Sequence, residues 1–243
     1  MNSLYPVLSG ALTQEINLEV IANNLANMNS NGFKKDFSVL SAYDPLGSDQ
    51  PGQNGGKEPL PYFGSLDGIS TDFSPGAIKQ TGSPLDVVVD GQNFFSVQTP
   101  GGIRYTQNGS FSLNSEGQIV TQSGYPVLGS SGTITLPPGK ININNAGKVS
   151  VDGTEIDTLQ VVQFSDLKKL MKTEGALFDA SGQTPIPSTE MSVQQGYIEG
   201  SNVNPVEEMV AMIRLTRLYE ASQKVIQASD TMATRASNDL GKV

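Results

Sequence analysis

Apolar residues recur every three or four positions at both ends of the chain. Through the first thirty residues Leu4, Leu8, Ala11, Leu18, Ala22 and Leu25 line up at this spacing, and Val7, Ile21 and Met28 widen the stripe. The period predicts an amphipathic helix. Ser3 can cap it, Pro6 is tolerated in a first turn whose N–H groups have no intrahelical partner, and Asn29 to Gly32 stop it.

Residues 204–240 predict a second, longer helix. It opens with Asn204-Pro205-Val206-Glu207: a capping residue, a proline at the first helical position and an acid at the third. Glu207 and Glu208 sit at the positive end of the helix dipole, and Gly241 supplies a stop. Two neighbouring apolar stripes follow. One is Leu218, Ala221, Val225, Ala228 and Met232; the other is Met212, Leu215, Tyr219, Ile226 and Ala233, with Ser222 and Ser229 at its small positions. A helix apolar on two stripes needs more than one packing partner. At about 1.5 Å per residue the two helices would run roughly 40 and 50 Å, long for a compact domain. The pattern leaves open whether they pair with each other inside one molecule or with helices of neighbouring molecules.

Between them the pattern changes twice. Residues 41–70, with Asp44-Pro45-Leu46-Gly47 and Gln50-Pro51-Gly52-Gln53-Asn54-Gly55-Gly56, have no period and many breakers, which predicts an irregular or flexible linker. From about 71 to 203, short strands alternate with turns, as in an all-β module. Leu85–Val89, Phe94–Gln98, Ile103–Thr106, Ser110–Leu113 and Gln118–Thr121 are the first candidates, separated by Asp90-Gly91, Gly101-Gly102, Asn108-Gly109 and Glu116-Gly117, where glycine reaches positive φ. Val127-Leu128, Ile134–Leu136, Ile141–Ile143, Val149–Val151 and Thr158–Phe164 follow, and Asp166–Lys172 predicts one helical turn. The fold class is thus a mainly β central module, irregular and multi-stranded, with long amphipathic α-helices at the N- and C-termini. The expected divisions are an N-terminal helix at 1–30, a linker at 31–70, the β-rich module at 71–203 and the C-terminal helix at 204–243.

Composition narrows the chemistry. The chain has no Cys, His or Trp, which removes thiolate nucleophiles, imidazole bases and the usual zinc ligands. No cofactor or metal is expected, and no catalytic residues. The net charge of −9 with scattered Lys and Arg argues against nucleic acid and anionic membrane as partners. No run reaches the roughly 20 apolar residues of a membrane span, so no direct membrane insertion is expected. The N-terminus lacks a basic region, and Gln14, Glu15, Asn17 and Glu19 interrupt any apolar stretch, so no cleaved secretory signal is read there. Asp152, Glu155 and Asp157 are the one acidic cluster worth weighing for acid–base chemistry, and solvated carboxylates on a hairpin explain them better. Lys168, Lys169 and Lys172 form a small basic face of the kind that is usually solvated.

The segment from Ala22 to Lys35, with five Asn in nine positions from Asn23 to Asn31, is unusual, because Asn is a poor residue for a helix interior. Together with Leu4-Tyr5-Pro6-Val7-Leu8-Ser9-Gly10 it closely resembles the N-terminal signature of flagellar rod and hook proteins. Glu199 to Val210 resembles their C-terminal signature, and Pro75-Gly76, Leu85-Asp86-Val87, Gly91-Gln92-Asn93-Phe94-Phe95 and Gly109-Ser110-Phe111 resemble the middle. The family commonly has Asp or Gly near Gln92 and Asn93, where this chain departs from it. Within the family the short linker is most similar to the proximal rod members, with the distal rod members as the alternative.

The resemblance implies a structural subunit with no enzymatic role, passed unfolded through the flagellar type III export apparatus and assembled helically in the periplasmic basal-body rod, which transmits torque. Its partners would be copies of itself and other flagellar rod subunits, met through the terminal helices. The expected assembly residues are Leu4, Leu8, Leu18, Ile21, Asn23, Asn24, Leu25 and Asn27 at one end and Val210, Ile213, Leu218, Val225 and Met232 at the other. A secreted carbohydrate-binding or adhesive β module would account for the strands but not for the terminal helices.

Overall fold

The computed structural model describes residues 4–43, 63–188 and 192–240. It is mainly β, with one helix near each end: α1 (Leu4–Ala26) and α2 (Pro205–Leu240). The chain forms two units. One gathers α1, α2 and two strands, β1 (Asp36–Tyr43) and β2 (Phe63–Thr71), which pair with each other. The other takes residues 27–35 and 71–203.

In the helical unit, α2 starts where the sequence signals it. The Asn204 side-chain oxygen accepts from the Val206 N–H at 3.1 Å, and Pro205 occupies the first helical position, where its missing N–H costs nothing. The two helices run antiparallel: Asn24 near the end of α1 meets Glu208 at the start of α2, while Ser222 farther along α2 donates to Gln14 at 3.4 Å. Strands β1 and β2 were read as linker. Only Phe37 and Val39 alternate clearly in β1, and the glycine- and proline-rich stretch that follows masks so short a period. That stretch, 44–62, lies outside the described residues.

The β unit is built on a six-stranded antiparallel sheet ordered 171–172, 177–179, 102–106, 94–99, 161–163, 186–187. Strand Phe94–Thr99 shows why it is central. Its first four residues are all buried, and alternation sends them to two different cores. Phe95 and Val97 join Val87, Val89, Phe111, Ile119, Val127 and Val149 on one side. Phe94 joins Tyr105, Val162, Phe164 and Phe178 on the other, with ring centroids 4.8 to 5.9 Å apart in edge-to-face pairs.

Most expected strands fall within a residue or two of those observed. Thr158–Phe164 is instead two strands, Thr154–Thr158 and Val161–Gln163, broken where Leu159 turns into the core. Gly91, Gly102 and Gly117 have positive φ, as their turns require, but Gly109 does not. Gly109 is needed for closeness: a Cβ there would collide with the Val87 carbonyl oxygen. Asp166–Lys172 supplies a short 3-10 turn at Leu167–Lys169, capped by the Asp166 side chain on the Lys168 N–H.

Candidate assembly interface

The two stripes of α2 meet different fates. Met212, Leu215, Tyr219, Ser222, Ile226 and Ser229 are half-buried on the side that packs against α1, which satisfies one stripe within the chain. The other side stays open, with Val210 43%, Ile213 54%, Leu218 51%, Val225 50% and Met232 70% exposed. Together they leave a strip of large apolar side chains exposed on α2.

On α1, Leu18, Ile21 and Leu25 are half-buried and Asn23 is exposed. Leu4 and Leu8 lie in the first turns, where the side chains are outside the described ones. Asn24 is different, only 1% exposed. Its amide oxygen accepts from the Asp36 N–H at 2.9 Å and its NH₂ donates to the Asp36 carbonyl at 2.8 Å, a closed ring of two bonds that imitates a strand partner and starts β1. The same NH₂ reaches a Glu208 carboxylate oxygen at 3.5 Å. Asn24 therefore acts inside one chain. Asn27 belongs to the β unit, where its side-chain oxygen accepts from the Ser30 hydroxyl at 3.1 Å.

The sequence reading missed a buried cluster that ties the ends of the β unit together. Lys34, 1% exposed, donates to Glu199 at 2.6 Å and to the Ser74 carbonyl at 2.9 Å. The same Glu199 oxygen accepts from the Gly76 N–H at 2.6 Å. Asn202 accepts from the Lys35 N–H at 2.7 Å and donates to the carbonyls of Asp72 and Ser74. Lys172 donates to the Lys34 carbonyl at 2.6 Å while its ammonium sits 3.6 Å above the Phe33 ring, so it is no member of a solvated basic face. Glycines let the strands close up: a Cβ on Gly76 would strike the Gly200 carbonyl oxygen, and one on Gly32, at φ 64°, would come within 2.5 Å of the Asn108 backbone. A lysine and a glutamate inside the two terminal signatures were the available signal.

Other candidate chemistry resolves into structural ties. The Asp152 carboxylate accepts from the Lys140 N–H, Glu155 pairs with Lys148 at 3.0 Å, and Asp157 accepts from the Ser131 and Thr158 N–H groups. Gln92 is exposed, and Asn93 donates to the Asp90 carbonyl at 2.5 Å, closing the turn. A cleft of about 460 Å³ in the β unit is lined by Asn29, Asn31, Asn108, Gln122, Tyr125 and Glu174 among others. Glu174 is its one carboxylate among the described lining residues.

Comparison with known proteins bears on the whole chain. Residues 4–34 match the family model described as flagella basal body rod protein, 88–151 the flagellar hook protein FlgE/F/G D1 domain, and 194–239 the flagellar basal body rod FlgEFG protein C-terminal region. The chain is 33% identical to the flagellar basal-body rod protein FlgF of Caulobacter vibrioides, covering 100% of this chain and 99% of that one. It is 36% identical to the rod protein FlgG of Buchnera aphidicola and 32% identical to FlgG of Bacillus subtilis, covering 97% and 98% of this chain and 98% of each relative. With matches at both ends, in the middle and along full-length relatives, the chain belongs to the flagellar basal-body rod protein family.

Proposed function

We propose that this chain is a structural subunit of the flagellar basal-body rod that polymerises through its amphipathic terminal helices. The observation that carries the reading is the row Val210, Ile213, Leu218, Val225 and Met232, left exposed on α2 in a chain whose full-length relatives are rod proteins. Covering each of these half-exposed side chains on assembly is worth roughly 1 kcal/mol, so a seam of them per subunit adds up along a polymer. Leu18, Ile21 and Leu25 support the seam from α1, and Leu4 and Leu8 continue their helical spacing toward the chain start. No enzymatic step is assigned to it; its work is mechanical, the transmission of torque through the rod.

Export through the flagellar type III apparatus, without a cleaved signal, and a periplasmic location belong to the same reading, as does assembly beside other rod subunits. Similarity to FlgF along the whole chain supports the proximal rod as the first reading, and similarity to FlgG supports the distal rod as the second. A strain lacking this gene, followed by soft-agar motility and electron microscopy of basal bodies, tests both. Lost swimming with truncated rods is expected, and the point of truncation separates proximal from distal. Normal swimming with complete basal bodies would remove the rod role.

A further inference from the structure

We propose that the outward face of α1 in one copy of the chain docks on the outward face of α2 in a second copy, with Glu15 and Glu19 set against Arg214, Arg217 and Lys224. This rests on the rod-subunit reading and names which face meets which.

On α1 the exposed residues Leu12, Glu15, Glu19, Ala22 and Ala26 follow three-four spacing, the period of a helix seam. Glu15 and Glu19 are the only charged side chains in the helix. On α2 the exposed residues Val210, Arg214, Arg217, Ala221, Lys224 and Ala228 follow the same spacing, flanked by Ile213, Leu218 and Val225. Glu220 is the one acid exposed within that stretch. Alanines on both faces let two helix backbones approach, and the long Arg and Lys stems can cover apolar surface while their heads reach a carboxylate.

None of these five charges makes an ion pair or side-chain hydrogen bond within the described residues. Each is available to a partner. Complementary sign sets register and suppresses wrong pairings more than it adds raw affinity. Laying α1 on α1 would set carboxylate against carboxylate and laying α2 on α2 would set cation against cation, and both repel, so the favourable contact is α1 of one copy on α2 of another. Repeated in one direction, as in a rod, that contact is heterologous, and a heterologous contact that does not close generates an open helical filament.

Reciprocal charge reversal tests this in a strain lacking the native gene. Four full-length chains are supplied: the parent; Glu15→Lys with Glu19→Lys; Arg214→Glu with Arg217→Glu and Lys224→Glu; and all five changes together. The parent is expected to restore swimming, each one-sided reversal to cut incorporation into basal bodies at least about tenfold, and the five-fold variant to recover most of it. One-sided variants that swim like the parent would overturn the proposal, as would a five-fold variant no better than the one-sided ones. Failure of the parent itself would instead overturn the rod-subunit reading. All five positions are exposed, so far-UV circular dichroism should match the parent. Where a reversal lowers helicity, Glu15→Gln with Glu19→Gln replaces it; this must still lower incorporation, and an unchanged level counts against the proposal.

Discussion

A methyl group on Gly109 would collide with the Val87 carbonyl oxygen and lie 3.2 Å from the Phe95 ring, with backbone rather than a flexible side chain on the near side. The two strands must then separate at the point where the Val87 N–H bonds to the Gly109 carbonyl at 2.9 Å. Gly109→Ala is expected to cost at least about 2 kcal/mol, read as a lower midpoint in urea unfolding of the β unit. Tyr105 gives the chain a pH limit. Burial, and secondarily the Asp179 carboxylate, push its phenol above the usual 10.0, while Arg104 opposes them. A raised folded value means that its contribution is complete below about pH 10 and is lost as pH climbs through the folded value, since ionisation is then easier in the unfolded chain. Tyr105→Phe should therefore unfold at higher pH than the parent in an alkaline titration followed by circular dichroism; an unchanged midpoint would remove this role.

At the level of elements, what could be read from the pattern depended on how many residues reported the period. Helix α2 was legible because 36 residues carry two stripes and a start signal, and strand Phe94–Thr99 because a run of buried apolars is bounded by turn glycines. Strand β1 was not, since two alternating apolars cannot outweigh the breakers after them. The direction taken by each stripe was also illegible: 3.5-residue periodicity says that two faces of α2 are apolar, and only the fold says that Leu215 turns toward α1 while Leu218 faces out. Asn24 shows the same gap from the polar side, because nothing local distinguishes an amide that binds a neighbouring molecule from one that binds Asp36 twelve residues on. The two faces give opposite outcomes on substitution. Leu215→Asp places a charge between the paired helices and should cost about 2 kcal/mol, seen as lower helicity of the isolated chain. Leu218→Asp changes an exposed position and should leave helicity within error, yet reduce incorporation into rods. Equal effects of the two on the isolated chain would mean that α2 does not divide its stripes this way.

For the whole molecule, the chain crosses between its two units after residues 26, 35, 70 and 203, so neither unit is a continuous stretch of sequence. The boundary expected at 30/31 put a helix on one side and a linker on the other, but Asn27–Lys35 is structurally part of the β unit. The reason lies in the clasp: Lys34 has its ammonium bonded to Glu199 and Ser74, and the Gly32 N–H donates to the Glu199 carbonyl at 2.8 Å. A fragment of residues 71–203 would keep every strand of the six-stranded sheet and both apolar cores, yet lose Lys34 and leave the Glu199 carboxylate, 7% exposed in the whole chain, without its cation. Breaking a buried pair from one side costs about 3–5 kcal/mol, because the remaining charge is stranded, so this fragment should unfold at markedly lower denaturant than one in which residues 27–35 are joined to 71–203 through a short glycine-serine linker. Adding Glu199→Gln to the shorter fragment removes the stranded charge and keeps an oxygen for the Gly76 N–H, and should recover part of the loss. If the two fragments unfold together, the clasp contributes nothing to the fold of the β unit. If the shorter one is weaker but Glu199→Gln does not help, the loss lies in the packing of Phe33 rather than in the unpaired charge.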